Sequence, residues 1–277
     1  MLLQGSLCRG RNRLRITNRN GSGNTMTYRQ KNFLCICSLV LLAVFSSHKA
    51  TAKSLTVAVA ANFSPALEKI SKLFTRKTGI VINTTVSSSG RLYAQIRNRA
   101  PFDLFFSADR KRPDMLFRDG YCEKPVEYVK GRVVLWCRNP RFCEKHRTWQ
   151  TAVLAPGLKK IGMANPELAP YGASTKEALV QEKIWPALQS RLVFGTNVGQ
   201  SFQYAGTGVT GASFIALSLA GTAPGKSGCF LPVPEAKPVS QGACIIGKTE
   251  NMDGARQFLK FMRSEEAQVI LQQYGYQ

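Results

Sequence analysis

Between Ser54 and Ala108 the sequence switches its apolar period four times, and that alternation limits the fold more than any other feature. "SLTVAVA" at 54–60 is a short β-rich run, and Ser64-Pro65 then opens a segment with Leu67, Ile70, Leu73 and Phe74 on one helical face, stopped by Gly79. Ile80 to Val86 is again rich in Ile, Val and Thr. Behind a run of three serines, Leu92, Tyr93 and Ile96 return to helical spacing, and "FDLFFSA" at 102–108 reads as a buried strand. This β-α-β-α-β order predicts a parallel sheet with helices on its faces, which binds ligands just beyond the carboxyl ends of the strands. Ala61-Asn62 and Ser87-Ser88-Ser89 fall there.

A second alternating set follows. "RVVLW" at 132–136, "KIGMA" at 160–164 and "LVF" at 192–194 read as strands, with helices expected over Tyr171–Val180 and Val198–Tyr204. The chain ends with a strand at Ala243–Gly247 and one long helix carrying Phe258, Phe261, Met262, Ile270 and Leu271. The expected fold is two α/β lobes, each a mixed, mostly parallel sheet flanked by helices. Residues 53–130 plus 244–277 are expected to form one lobe and 131–243 the other, with crossings near Tyr128–Arg132 and Val239–Cys244. At 277 residues and 44% apolar, the chain has enough material for both cores.

The first 52 residues read as a leader. Arg9, Arg11, Arg13, Arg15 and Arg19 precede a basic region at Arg29 and Lys31, an apolar run from Phe33 to Phe45, and Ala50-Thr51-Ala52, a small-residue cleavage signal that predicts removal before Lys53 and export to the periplasm. The apolar run is shorter than the ~20 residues needed to span a bilayer. Cys35 and Cys37 lie early in that run, not at the end where a lipid-modified cysteine would stand. Without the leader, 30 Lys and Arg face 16 Asp and Glu, an excess of +14. The bases are scattered, with no aromatic stacking platform between them, so no nucleic-acid partner is expected; the charge reads as a solvated surface that draws anions by its long-range field. The five cysteines beyond the leader (Cys122, Cys137, Cys143, Cys229, Cys244) lack metal-ligand spacing and have one histidine, His146, for company. In an oxidising compartment a disulfide is expected between Cys137 and Cys143, which flank the Asn139-Pro140 turn signal.

Four helix starts carry the functional argument. Ser89 stands before Gly90, Asn62 before Ser64-Pro65, Tyr171 after Pro170, and Val198 follows Asn197. Each start leaves backbone N–H groups without intrahelical acceptors and presents the positive end of a dipole, so several that converge make an anion site without any charged side chain. The plainer alternative for Ser89 is that its hydroxyl only caps the helix.

"VAVAANFSPALEKI", "SSSGRLYAQI", "APFDLFFSADRKRP", "VLW", "ANPELAPYGASTKEAL", "NVGQ" and the "YGY" ending, taken in order through nearly all of Lys53 to Gln277, resemble the periplasmic molybdate-binding proteins of ABC transporters. The resemblance implies the type 2 periplasmic binding protein fold and a binder, not an enzyme. It implies molybdate or tungstate as ligand, molybdenum only as bound molybdate, no cofactor, a monomer, and delivery to an ABC permease in the inner membrane. By position it implies ligand contacts from Ala61, Asn62, Ser89, Tyr171 and Val198, with Ala108 lining the same strand end. The sequence departs from the family at Ala61, where some relatives supply a hydroxyl nearby, and at Phe214 in "GVTGASF", where some have a contacting Tyr and an acid. These departures bear on which dianion is preferred, sulfate being the alternative.

A nucleotide-dependent enzyme is the rival class. "GTGVTG" at 206–211 satisfies G-x-G-x-x-G and "AGTAPGKS" at 220–227 a loose phosphate loop. The first follows a helical pattern where a dinucleotide fingerprint needs a strand, and Gly228, Pro232 and Pro234 forbid the helix that a phosphate loop should open. A serine hydrolase lacks its G-x-S-x-G.

Overall fold

The computed structural model describes residues 53–277, so the cleavage signal and the rest of the leader lie outside the described residues. Its ten strands are β1 (Ser54–Ala60), β2 (Val81–Ser87), β3 (Leu104–Phe106), β4 (Val126–Gly131), β5 (Val133–Cys137), β6 (Ile161–Ala164), β7 (Leu192–Gly195), β8 (Ala212–Ala216), β9 (Cys229–Pro232) and β10 (Val239–Ile245). They form two five-stranded sheets, ordered β2-β1-β3-β10-β4 and β7-β6-β8-β5-β9. In each sheet three strands run parallel, and one antiparallel strand (β10 or β5) joins them to a fifth.

Strand alternation explains how the first sheet is covered. Leu55, Val57 and Val59 of β1 and Leu104 and Phe106 of β3 face helices Ser64–Thr78, Met252–Phe261 and Glu265–Gln273, while Ala58 and Phe105 face Leu92, Ile96 and Leu116 on the opposite side. The second sheet has its own core around Trp136, Trp149, Met163 and Phe214. Only Arg132 separates β4 from β5, so the chain passes from sheet to sheet in one step and returns along Val233–Pro238. The C-terminus is tied to the same crossing, since Lys130 and Gln277 exchange both backbone hydrogen bonds, at 2.7 and 3.1 Å.

Three features differ from the sequence reading. The strand expected over Ala243–Gly247 runs from Val239 to Ile245 and pairs with β4 over its first five residues, so residues 239–243 belong to the first sheet. Polar Ser240 and Gln241 and a register shift at Gln241/Gly242 broke the apolar run that would have revealed it. The single C-terminal helix is two, because Ser264 accepts the Ala267 N–H and caps a new helix with Glu265 and Glu266 in its first turn. The disulfide joins Cys143 to Cys229, not to Cys137. Past Asn139-Pro140 the chain enters the short helix Arg141–Lys145, which packs on β9 and carries Cys143 to Cys229, while Cys137 stays a buried free thiol against the Gly211 carbonyl.

Candidate functional site

The carboxyl ends of β1, β2 and β3 meet the amino ends of helices Pro170–Gln181 and Val198–Thr207 around a small cavity of about 10 Å³. Ala61, Asn62, Ser89, Ala108, Tyr171 and Val198 all line it, together with Ser87, Ser88 and Asn197. Among the described residues that do so, none is charged. Pockets for ordinary small molecules begin near ~300 Å³. The space is far too small for a nucleotide.

The two neighbouring serines have separate tasks. Ser88 is the cap of helix Ser89–Arg97, its hydroxyl accepting the Arg91 N–H at 3.4 Å. The Ser89 hydroxyl, fully buried, accepts the Ala108 N–H at 2.8 Å. That bond takes one acceptor lone pair of Ser89 and pins it to the end of β3, leaving its O–H proton to donate. Backbone donors surround it. Ser89 and Val198 are the first residues of their helices and Tyr171 follows the first, Pro170, so their N–H groups have no intrahelical acceptor. The Asn62 N–H, in the turn after β1, has no acceptor among the described residues.

Asn62 does not offer its side-chain amide to the cavity. Its Nδ2 donates to Gln241 Oε1 at 2.8 Å and to the Tyr276 hydroxyl at 3.1 Å, while its Oδ1 is buried without a partner. Tyr276 donates to the Asn62 carbonyl at 2.8 Å, as does Ser218, also at 2.8 Å. Tyr128 donates to Gln241 Oε1 at 3.0 Å, and Gln241 Nε2 donates to the Tyr171 hydroxyl at 3.0 Å. Burial, reinforced by the neighbouring Tyr276, holds the Tyr171 phenol well above the ordinary tyrosine range, with the hydrogen bond from Gln241 pulling the other way. Burial likewise raises Tyr128 and Tyr276. All three phenols are therefore neutral donors at neutral pH. Sequence reasoning missed Gln241, Tyr128 and Tyr276 as parts of this cluster. The one local signal was a polar Gln241 in phase with apolar Val239 on a strand.

Other bonds tie the lobes together beside the cavity. The Gly90 N–H donates to the Leu168 carbonyl at 2.9 Å, and Arg112, paired with Asp109, donates to the Glu167 carbonyl at 3.2 Å. The nucleotide motifs are elsewhere and in the wrong setting. "GTGVTG" closes a helix, with Gly208 as its left-handed cap at φ 82°, and "AGTAPGKS" holds a four-residue helix that leads into β9. Among the described residues no cluster of His, Cys, Asp or Glu could hold a metal ion.

Two α/β lobes, joined by short crossings and flanking a small uncharged cavity, are the architecture of a solute-binding protein. The comparisons agree. Residues 55–277 match the family of bacterial extracellular solute-binding proteins, and the chain belongs to it. It is 33% identical over 229 residues to the molybdate-binding protein ModA of Rhodobacter capsulatus, covering 82% of this chain and 89% of that one. It is also 33% identical over 233 residues to ModA of Azotobacter vinelandii, covering 82% and 91%. The solved periplasmic molybdate-binding protein of Azotobacter vinelandii superposes with a TM-score of 0.76 at 31% identity, over 80% of this chain and 98% of its own.

Proposed function

We propose that this protein captures molybdate, and tungstate with it, outside the cytoplasm and delivers it to an ABC permease. The observation that supports this most is the donor set of the cavity. The Ser89 hydroxyl and the helix-start and turn residues Asn62, Ser89, Tyr171 and Val198, with their free backbone N–H groups, line one small space with neutral donors, while Ala61 and Ala108 shape its wall. Such a set stabilises a buried dianion through hydrogen bonds and helix dipoles, without a lysine or arginine. Two curated relatives at 33% identity are named for molybdate binding.

Selectivity follows from rigidity. The donors are fixed at helix and strand ends, so an anion that is smaller by a few tenths of an ångström, such as sulfate or phosphate, cannot reach all of them together. A donor left without a partner in a buried site costs about 1–3 kcal/mol. A thermal melt tests this directly: molybdate and tungstate raise the melting temperature by mass action, and equal concentrations of sulfate or phosphate change it little. Equal shifts from all four anions would contradict the assignment, and a shift with ATP or NAD alone would favour an enzyme.

A further inference from the structure

We infer that Gln241 is the positioning residue that makes the Tyr171 hydroxyl a donor to the bound anion, and that Gly131 supplies the space in which the pair forms. The inference rests on the oxyanion reading above and adds to it the means by which one donor is aimed.

The donors and acceptors of the cluster constrain one another. Tyr276 has a single proton, donated to the Asn62 carbonyl at 2.8 Å, so the Tyr276 oxygen can only accept from the Asn62 side chain. That requirement turns the Asn62 amide so that Nδ2 faces Tyr276 at 3.1 Å and, with its other hydrogen, Gln241 Oε1 at 2.8 Å. The Tyr128 hydroxyl, 3.0 Å from the same Oε1 and 3.3 Å from the Ser107 carbonyl, adds a second donor on its shorter side. With its oxygen occupied twice, Gln241 must present Nε2 to Tyr171, at 3.0 Å. The Tyr171 oxygen then accepts, and its single proton, without an acceptor among the described residues, belongs to a side chain that lines the cavity. Gln241 is fully buried on β10 of the first lobe, and Tyr171 opens a helix of the second, so the relay also spans the cleft.

Gly131 is an independent observation on the same pair. It ends β4, immediately before the crossing residue, and a Cβ there would lie 1.9 Å from the Tyr171 hydroxyl and 2.8 Å from Gln241 Nε2. Both contacts are far inside van der Waals distance. No other residue type leaves the Gln241–Tyr171 bond in place.

The test is a mutant cycle read by molybdate titration of the full chain: wild type, Tyr171→Phe, Gln241→Leu and the double variant. Each single change is expected to weaken binding about ten- to a hundredfold, the loss of one hydrogen bond to a charged partner. The double is expected to bind no worse than Tyr171→Phe alone, because Gln241 acts through the hydroxyl that phenylalanine lacks. Losses that multiply in the double variant, or a Gln241→Leu protein that binds like wild type, overturn the inference. If the leucine variant does not fold, Gln241→Met keeps the side-chain length without an N–H and takes its place in the cycle, with the same outcomes supporting or overturning the inference. Gly131→Ala gives a second reading: it should weaken binding in the wild-type background and much less beside Tyr171→Phe, and an equal effect in both also overturns the inference. A wild-type chain that binds no molybdate overturns the oxyanion reading itself, a result distinct from either.

Discussion

At Ser88 the hydroxyl holds a backbone N–H of its own helix, whereas at Ser89 it is held by the Ala108 N–H and keeps its proton. Ser88→Ala should therefore show its loss mainly in stability, about 1 kcal/mol. Ser89→Ala should weaken affinity about ten- to a hundredfold, as removal of a donor to an anion does. Denaturant melts and titrations of both variants check the pair, and a Ser89→Ala protein that keeps full affinity would remove Ser89 from the site. The tyrosines make a pH prediction. Burial keeps Tyr128, Tyr171 and Tyr276 protonated in the fold beyond the usual tyrosine value of about 10, so the unfolded chain loses those protons first. Stability should be insensitive to their titration below about pH 10 and fall above it, by up to ~1.4 kcal/mol per pH unit for each phenol. Denaturation midpoints measured from pH 8 to 11 test this, and Tyr171→Phe should flatten the decline. The sequence showed the helix starts and hence the backbone donors. It hid the side-chain relay, because Asn62 reaches Gln241 and Tyr276 across 179 and 214 residues, and no local window joins them.

Periodicity made the first lobe legible: β1, β2, β3 and the two helices between them have the order and nearly the bounds that apolar spacing predicts. Elements whose apolar run is interrupted were harder to see, as in β10, where Ser240, Gln241 and Gly242 stand among apolar neighbours. The disulfide was misassigned because nearness along the chain stood in for nearness in space. Cys143 and Cys229 are 86 residues apart, yet helix and strand bring their Cα atoms to 6.1 Å. Peptide mapping without reduction should find Cys143 linked to Cys229 and Cys137 free. Cys229→Ser should lower stability by about 2–4 kcal/mol, since closing a long loop restricts the unfolded chain, and leave affinity unchanged because neither cysteine lines the cavity. A linked Cys137 would contradict the packing of the Arg141–Lys145 helix on β9.

Across the whole molecule the positive excess is unevenly placed around the cleft. The groove between helices Ser64–Thr78 and Val198–Thr207 is lined by Lys69, Lys72, Arg138 and Lys226 against Glu68 alone, whereas on the other flank Lys111, Arg112 and Lys237 are matched by Asp109, Glu167 and Glu177. The inner cavity binds with neutral groups, so the basic groove should act on approach and not on retention. Lys69→Glu with Lys226→Glu should slow molybdate association and weaken its dependence on ionic strength while the dissociation rate stays the same; stopped-flow binding at low and high salt decides this. The central claim is narrower: a fixed ring of uncharged donors between two lobes selects one size of tetrahedral dianion. Calorimetric titration of the purified protein with molybdate, sulfate and phosphate in the same buffer tests it most directly. One saturable molybdate site per chain is predicted, with affinities for sulfate and phosphate weaker by about a hundredfold or more, the cost of at least one unmatched donor. Equal affinity for the three anions, or no heat with molybdate, would contradict it.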